Sequence, residues 1–279
     1  MVSWEKPPLF FIAPFAPADK DMRGVQCGPS NSIGGSGRVS YLVYCVFRKP
    51  LAGELEFPEG VAGHRVFTAN YNGLSAALSK LGEPELPADV SSLRAYEAVV
   101  ESFYRRLTVI PLRYGCRVGC PYDAIILLKE NFDDYDALLR QLEGLAEMGI
   151  KVLQDEPRAV AETDRLAIPS EWLPGRSRVS GAASAAAKKP DSLGASRATT
   201  VQNALANNLC DSLQGSFVRH KVEFPSCQRG HLLSLHFLVP RESVEGFRQA
   251  AGHLPSNRPF KLSFSGPWPP YNFVDSLQP

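Results

Sequence analysis

The sequence predicts an α+β protein of two domains with antiparallel sheets and packed helices, the C-terminal one a ferredoxin-like sandwich. Three observations carry this. Residues 41–47, YLVYCVF, are apolar on both faces, as in a strand covered from two sides. Two stretches, 91–107 and 132–148, have apolar residues at steps of three and four with charge between them. Near the end, three alternating segments read strand, strand, helix, strand.

Bulk properties agree with a globular chain. At 279 residues and 44% hydrophobic there is enough apolar surface for ordinary cores. Thirty basic against 29 acidic residues leave a net charge of +1, with no global field to attract nucleic acid or an anionic membrane. Cysteines at 27, 45, 116, 120, 210 and 227 are scattered rather than set as a disulfide frame, which points to a reducing cytoplasm. The apolar run Leu9 to Ala13 is bounded by Pro7, Pro8 and Pro14 and is too short for a signal-peptide core. No window reaches the about 18 apolar residues that a membrane helix needs.

Along the chain, residues 1–38 are proline- and glycine-rich without period and read as a flexible N-terminal extension. The glycines at 34, 35 and 37 precede a strand rather than a helix, which is the wrong order for a phosphate cradle. An N-terminal domain is expected over 39–120. It opens with the 41–47 strand and a further strand at 64–68. Leu74, Ala77, Leu78 and Leu81 fit either a helix or a strand. The 91–107 helix presents Leu93, Tyr96, Val100, Phe103 and Leu107. Residues 108–114, TVIPLRY, are broken by Pro111 and suit an edge strand or a bend.

A C-terminal domain is expected over 121–279. The 132–148 helix has Asp133 and Asp134 in its first turn and Gly149 as its stop, with a strand at 150–153 after it. Residues 157–200 are small, polar and basic and read as a variable loop or linker. A helix near 201–213 follows. Val218, His220, Val222 and Phe224, then Leu233, Leu235, Phe237 and Val239, then Phe260, Leu262 and Phe264 alternate with polar residues, so each strand should have one wet face. Residues 225–230 make the first pair a hairpin. A helix with Val244, Phe247 and Ala251 leads to the third strand.

Chemistry is sparse. Cys116 and Cys120 lack the second ligand pair of a structural zinc site and read as thiols in apolar surroundings. The histidines at 64, 220, 231, 236 and 253 are dispersed, although His220 and His236 lie on strands expected to pair. Asp133, Asp134 and Asp136 suit a helix start without any metal. Arg105, Arg106, Arg113 and Arg117 cluster, yet no aromatic strand face accompanies them for stacking bases. No catalytic residue, cofactor or metal is expected.

Two segments remain unexplained by composition: TVIPLRYGCRVG at 108–119 and GPWPPYNFV at 266–274. They resemble the two most characteristic segments of the GvpL/GvpF family of gas vesicle proteins, which carry a VLPLRFGT stretch and finish in GPWPPYSFV. The 41–47 strand, NGLSAALS and LEGLAEMGIKVL add to the likeness, which runs from about 40 to 274. The first 38 residues have no counterpart, and Cys116 stands where a small residue such as Thr is usual.

The resemblance implies two α+β domains, one a modified ferredoxin-like fold, and a helix at 121–129, where Ile125 to Leu128 alone would also allow a strand. It implies a non-enzymatic, cytoplasmic accessory or minor structural protein of the gas vesicle. Its expected partners are the small apolar shell protein and other accessory proteins, not nucleic acid or membrane. The candidate partner-binding residues are those of the two motifs: Pro111, Leu112, Arg113, Tyr114 and Gly115, with Gly266, Pro267, Trp268, Pro269, Pro270, Tyr271 and Phe273. The aromatic, proline-stiffened tail is read first as a clamp folded on the body and second as a binding platform. A ferredoxin-like small-ligand or regulatory module is the other reading.

Overall fold

A computed structural model describes residues 4–5, 39–50, 57–81, 89–154, 191–224, 231–254 and 260–274. The chain divides into two compact units. The first comprises residues 6–147 and 267–279, and the second 1–5 and 148–266. The division therefore falls at 147/148 rather than near 120, and the last segment of the chain belongs to the first unit.

The first unit is built on the strand Ser40–Arg48 (β2), whose residues 42–47 are buried. It pairs antiparallel with Leu74–Leu81 (β4), which pairs in turn with Val66–Tyr71 (β3). On its other side lies Val109–Pro111 (β5), giving the order β3-β4-β2-β5, and Arg117–Val118 (β6) pairs with the start of β2. The segment 74–81 is thus a strand. Its helix-like spacing arises because both faces are covered, so apolar and small residues fill every position but Lys80. Pro111 sits in the edge strand, where a missing N–H is tolerated.

Helix α1, Val90–Tyr104, starts at Asp89, whose carboxylate accepts the Ser92 amide (2.9 Å) and hydroxyl (2.8 Å). It lays Tyr96 and Phe103 on the sheet, stacking on Tyr44 (5.1 Å) and Phe47 (4.7 Å). Helix α2, Pro121–Glu130, begins with proline at its first turn, and Asp123 accepts the Cys120 N–H (2.9 Å). Helix α3 spans Phe132–Gln141. Phe132 meets Tyr71 edge-on, and Asp136 pairs with Arg48 and Arg140. Phe47 and Arg48 are adjacent in a strand, so α1 and α3 cover opposite faces of the sheet.

The long helix expected at 132–148 stops early. Gly144, at φ 71, turns the chain, and Leu145–Gln154 is a strand, β7. Gly149 lies within that strand, where a Cβ would come within 2.6 Å of the Ser265 hydroxyl. The stripe ran on in the sequence because Leu142 ends a helix and Leu145 begins a strand, both apolar.

The second unit contains β7 onward, helix α4 (Asp191–Ser212), the hairpin strands β8 (Arg219–Glu223) and β9 (His231–Pro240), helix α5 (Val244–Gly252) and β10 (Phe260–Trp268). A two-residue strand at Trp4–Glu5, β1, runs parallel to β10, and the order is β1-β10-β7-β9-β8. Two expectations change here. Residues 4–5 are a strand within the supposed extension, too short to leave a period. Residues 191–200 are helical rather than linker. The rest of 1–38, 155–190 and the 225–230 turn lie outside the described residues.

One core joins Ile150, Val152, Leu205, Leu209, Leu235, Phe237 and Phe247. The polar face of β9 is not wet: Ser234 and His236 are 5% and 1% exposed, and the His236 Nε2 lies 3.6 Å from the Glu223 carboxylate. His220 and His236 are not brought together, since His220 stands opposite Phe237 and His236 opposite Lys221.

Candidate functional site

The two motif segments meet in the first unit, around Tyr96 of α1. Strand β2 is irregular between Val43 and Cys45, and Tyr44 in that bulge points its ring at Tyr96. The Tyr44 hydroxyl is 2.7 Å from the Ser79 hydroxyl and accepts the Val61 N–H at 3.0 Å. Gly60 closes over it: a Cβ there would sit 2.5 Å from the Tyr44 oxygen.

The first motif wraps this bulge. After β5, the Leu112 N–H donates to the Tyr44 carbonyl (3.0 Å), and the chain turns through Gly115 at φ 109. The Cys116 N–H bonds back to the Arg113 carbonyl (3.0 Å), and the Val43 N–H donates to the Cys116 carbonyl (2.9 Å). Tyr114 meets the Tyr96 ring edge-on at 5.2 Å. The Tyr96 hydroxyl donates to the carbonyls of Leu112 and Tyr44, so α1, the motif and β2 share one buried polar knot. Of this set Pro111 and Leu112 are buried, Tyr114 and Gly115 are half-buried, and Arg113 is exposed.

The second motif enters from β10 through Gly266 at φ 111. Pro269 and Pro270 are buried, Trp268 is half-buried and Pro267 is exposed. A short 3-10 turn, Tyr271–Phe273, follows, with the Tyr271 N–H on the Pro269 carbonyl (2.8 Å). Phe273 and Val274 are 8% and 0% exposed. Asn272 donates its backbone N–H (2.9 Å) and its side-chain amide to the carboxylate of Glu147, which is 3% exposed.

Electrostatics hold these groups neutral. Burial pushes the Tyr96 hydroxyl well above its usual range, with Tyr271, Cys116, Cys45 and Tyr44 adding to it. Tyr271 is raised likewise, by burial first and then by Glu97, Cys45, Glu147 and Glu101. Tyr114 stands at about 12 and the Cys116 thiol at about 12, both through desolvation. Cys116 and Cys120 are both half-buried free thiols. A thiol at that value carries almost no thiolate near neutrality, so the arrangement offers packing and fixed hydrogen bonds rather than an activated nucleophile.

Tyr96, Glu147 and Asn272 were not singled out from sequence. Tyr96 is one apolar-stripe residue among five, and Glu147 stands only within the LEGLAEMGIKVL likeness. A signal for Glu147 is its place in LEGLAEMGIKVL, a carboxylate between the apolar residues Ala146 and Met148. Among the described residues no group of three His, Cys, Asp or Glu side chains is placed to hold a metal, and no helix is long and apolar enough to cross a membrane.

Comparisons with known proteins bear on this geometry. A family model described as gas vesicle synthesis protein GvpL/GvpF matches residues 40–275. Gas vesicle protein F of Streptomyces sp. (strain CB03234) is 28% identical over 210 residues, covering 73% of this chain and 85% of that protein. Gas vesicle protein F1 of Halobacterium salinarum is 21% identical over 222 residues, covering 78% and 85%. The crystal structure of GvpF from Anabaena sp. PCC7120 superposes with a TM-score of 0.64 at 16% identity, covering 85% of this chain and 96% of that one. GvpF from Microcystis aeruginosa gives 0.61, also at 16% identity, covering 85% and 99%. These two show a shared α+β fold.

Proposed function

Because the chain belongs to the GvpL/GvpF family of gas vesicle synthesis proteins, we propose that it is a non-catalytic accessory or minor structural protein of the gas vesicle. In this reading it binds the small apolar shell protein in the cytoplasm and at the vesicle, and assists assembly by chaperoning or nucleation. The observation that carries it is the convergence of both family segments on Tyr96: the residues that mark the family build one buried, hydrogen-bonded knot beside which Arg113 and Pro267 are exposed.

The physical logic is that a shell subunit with a dry, gas-facing side aggregates unless another surface meets it. A partner-binding surface of proline and aromatic residues loses little entropy on binding, because the backbone is already fixed. Within the candidate set the buried residues Pro111, Leu112, Pro269, Pro270 and Phe273 act as the clamp. Arg113, Pro267 and the open side of Trp268 form the face a partner meets. The β7-α4-β8-β9-α5-β10 succession supports the modified ferredoxin-like reading of the second unit.

The test is co-expression of the full chain with the shell protein, followed by affinity capture and residue-level crosslinking. Crosslinks at the 111–115 and 266–273 segments are expected. Absence of association, together with normal vesicles after deletion of the gene, would overturn the proposal.

A further inference from the structure

The two ends of the second unit's sheet are protected by different means. Strand β8 lines one end with Arg219, Lys221 and Glu223, and charge along an edge is a usual way of keeping it from pairing. Strand β10, toward the other end, reads FKLSFSGPW; its one charge is Lys261, and its proline, Pro267, comes after the residues that pair. Phe260 and Phe264 of this strand are core and Leu262 packs against that core, so charge on this face would open the interior. Natural sheets cover a long, nearly uncharged edge of this kind. Here Trp4–Glu5 (β1) covers it, running parallel with Trp4 opposite Phe264 and Glu5 opposite Ser265.

We infer that the outer edge of β10 is a strand-accepting surface and that Trp4–Glu5 is its guard, an exchangeable strand added from elsewhere in the same chain. Two observations separate this from an ordinary fifth strand. Residues 4–5 lie outside the 40–275 family match, whereas β10 lies within it, so the guard is an addition to the matched fold. The guard is also only two residues long, against nine in β10, so few main-chain hydrogen bonds hold it.

The ligand class follows from the pairing. A strand added to an edge is held through main-chain N–H and C=O groups, so the surface takes an extended peptide backbone, with side chains adjusting the fit. Because residues 4–5 and 264–265 are far apart in sequence, the pairing forms on a finished sheet rather than before it. Attachment to the same chain raises the guard's local concentration above that of a dilute free peptide. That keeps so short a strand in place and leaves it displaceable.

The experiment needs no vesicle component, so its failure is separate from failure of the proposed function. Hydrogen exchange of the full chain is compared with that of a chain lacking residues 1–5. Amides in 260–266 should exchange about tenfold or more faster in the shortened chain, while those of β2 and β4 stay unchanged. A synthetic peptide of residues 1–9, added at about millimolar concentration, should return slow exchange to the shortened chain. In the full chain, Glu5→Cys with Ser265→Cys should form a reducible intramolecular disulfide, because strand neighbours in register lie within disulfide reach. Equal exchange at 260–266 with and without residues 1–5 overturns the inference. So does a peptide that leaves the shortened chain unchanged, or a cysteine pair that does not close.

Discussion

Asn272 and Glu147, 125 residues apart in sequence, are joined by two hydrogen bonds: the backbone and side-chain amides of Asn272 both reach one buried carboxylate. A buried carboxylate is costly unless its oxygens are satisfied. Asn272→Ala should therefore cost about 1–3 kcal/mol, read from denaturant midpoints with an unchanged m-value. A double-mutant cycle with Glu147→Gln should show clear non-additivity, whereas additive effects would mean that the pair is not coupled.

Trp268→Ala separates clamp from platform. With Pro269 and Pro270 buried beside it and most of its own surface covered, the clamp reading expects a loss of about 3 kcal/mol and a clear drop in Tm. An unchanged Tm with lost capture of the shell protein would assign the tryptophan to partner contact instead.

Tyr96→Phe keeps the ring stacking on Tyr44 and Tyr114 and deletes only the hydroxyl. Two carbonyls, of Leu112 and Tyr44, then lose a donor in a dry interior. The expected cost is about 1–3 kcal/mol by thermal or urea unfolding.

Gly60→Ala should be nearly as harmful despite adding one methyl group, since its Cβ would lie 2.5 Å from the Tyr44 oxygen and 3.0 Å from the His64 carbonyl. An overpacking cost of about 1–3 kcal/mol is expected from urea midpoints. Wild-type stability would show that the 57–64 segment gives way freely.

Buried Tyr96 and half-buried Tyr114 and Tyr271 make the protein sensitive to base. Tyr114 is raised from 10.0 to about 12, and Tyr96 and Tyr271 are raised further in the same direction. A folded-state value above the unfolded one gives stability that is complete below about pH 10. It is lost as pH rises through about 12, because the unfolded chain ionises first. Tyrosinate absorbance should therefore appear together with loss of circular dichroism. Free titration near pH 10 with the fold intact would contradict the burial.

Legibility followed the range of the information needed. Strand β2, helix α1 and helix α5 were readable because each has one face or two faces of consistent character. LSAALSKL was not, since a strand buried on both sides by its neighbours carries no period of its own. The stop of α3 was misplaced because Gly149 and Gly144 both follow an apolar stripe, and only tertiary pairing with β10 decides between them. The two motifs were visible as unusual strings. Their meeting at Tyr96, and the role of Glu147, depend on contacts across more than a hundred residues that local pattern does not encode.

The first unit takes its final piece from the far end of the chain. A ribosome that has delivered residues 6–147 has supplied the bed for Pro269, Pro270 and Phe273, and the Glu147 carboxylate, but not the segment that fills them. Those residues are made only after 148–266, so the first unit is completed later than the chain that separates its two parts. A message cut short anywhere before 267 yields a first unit without the segment that fills this bed.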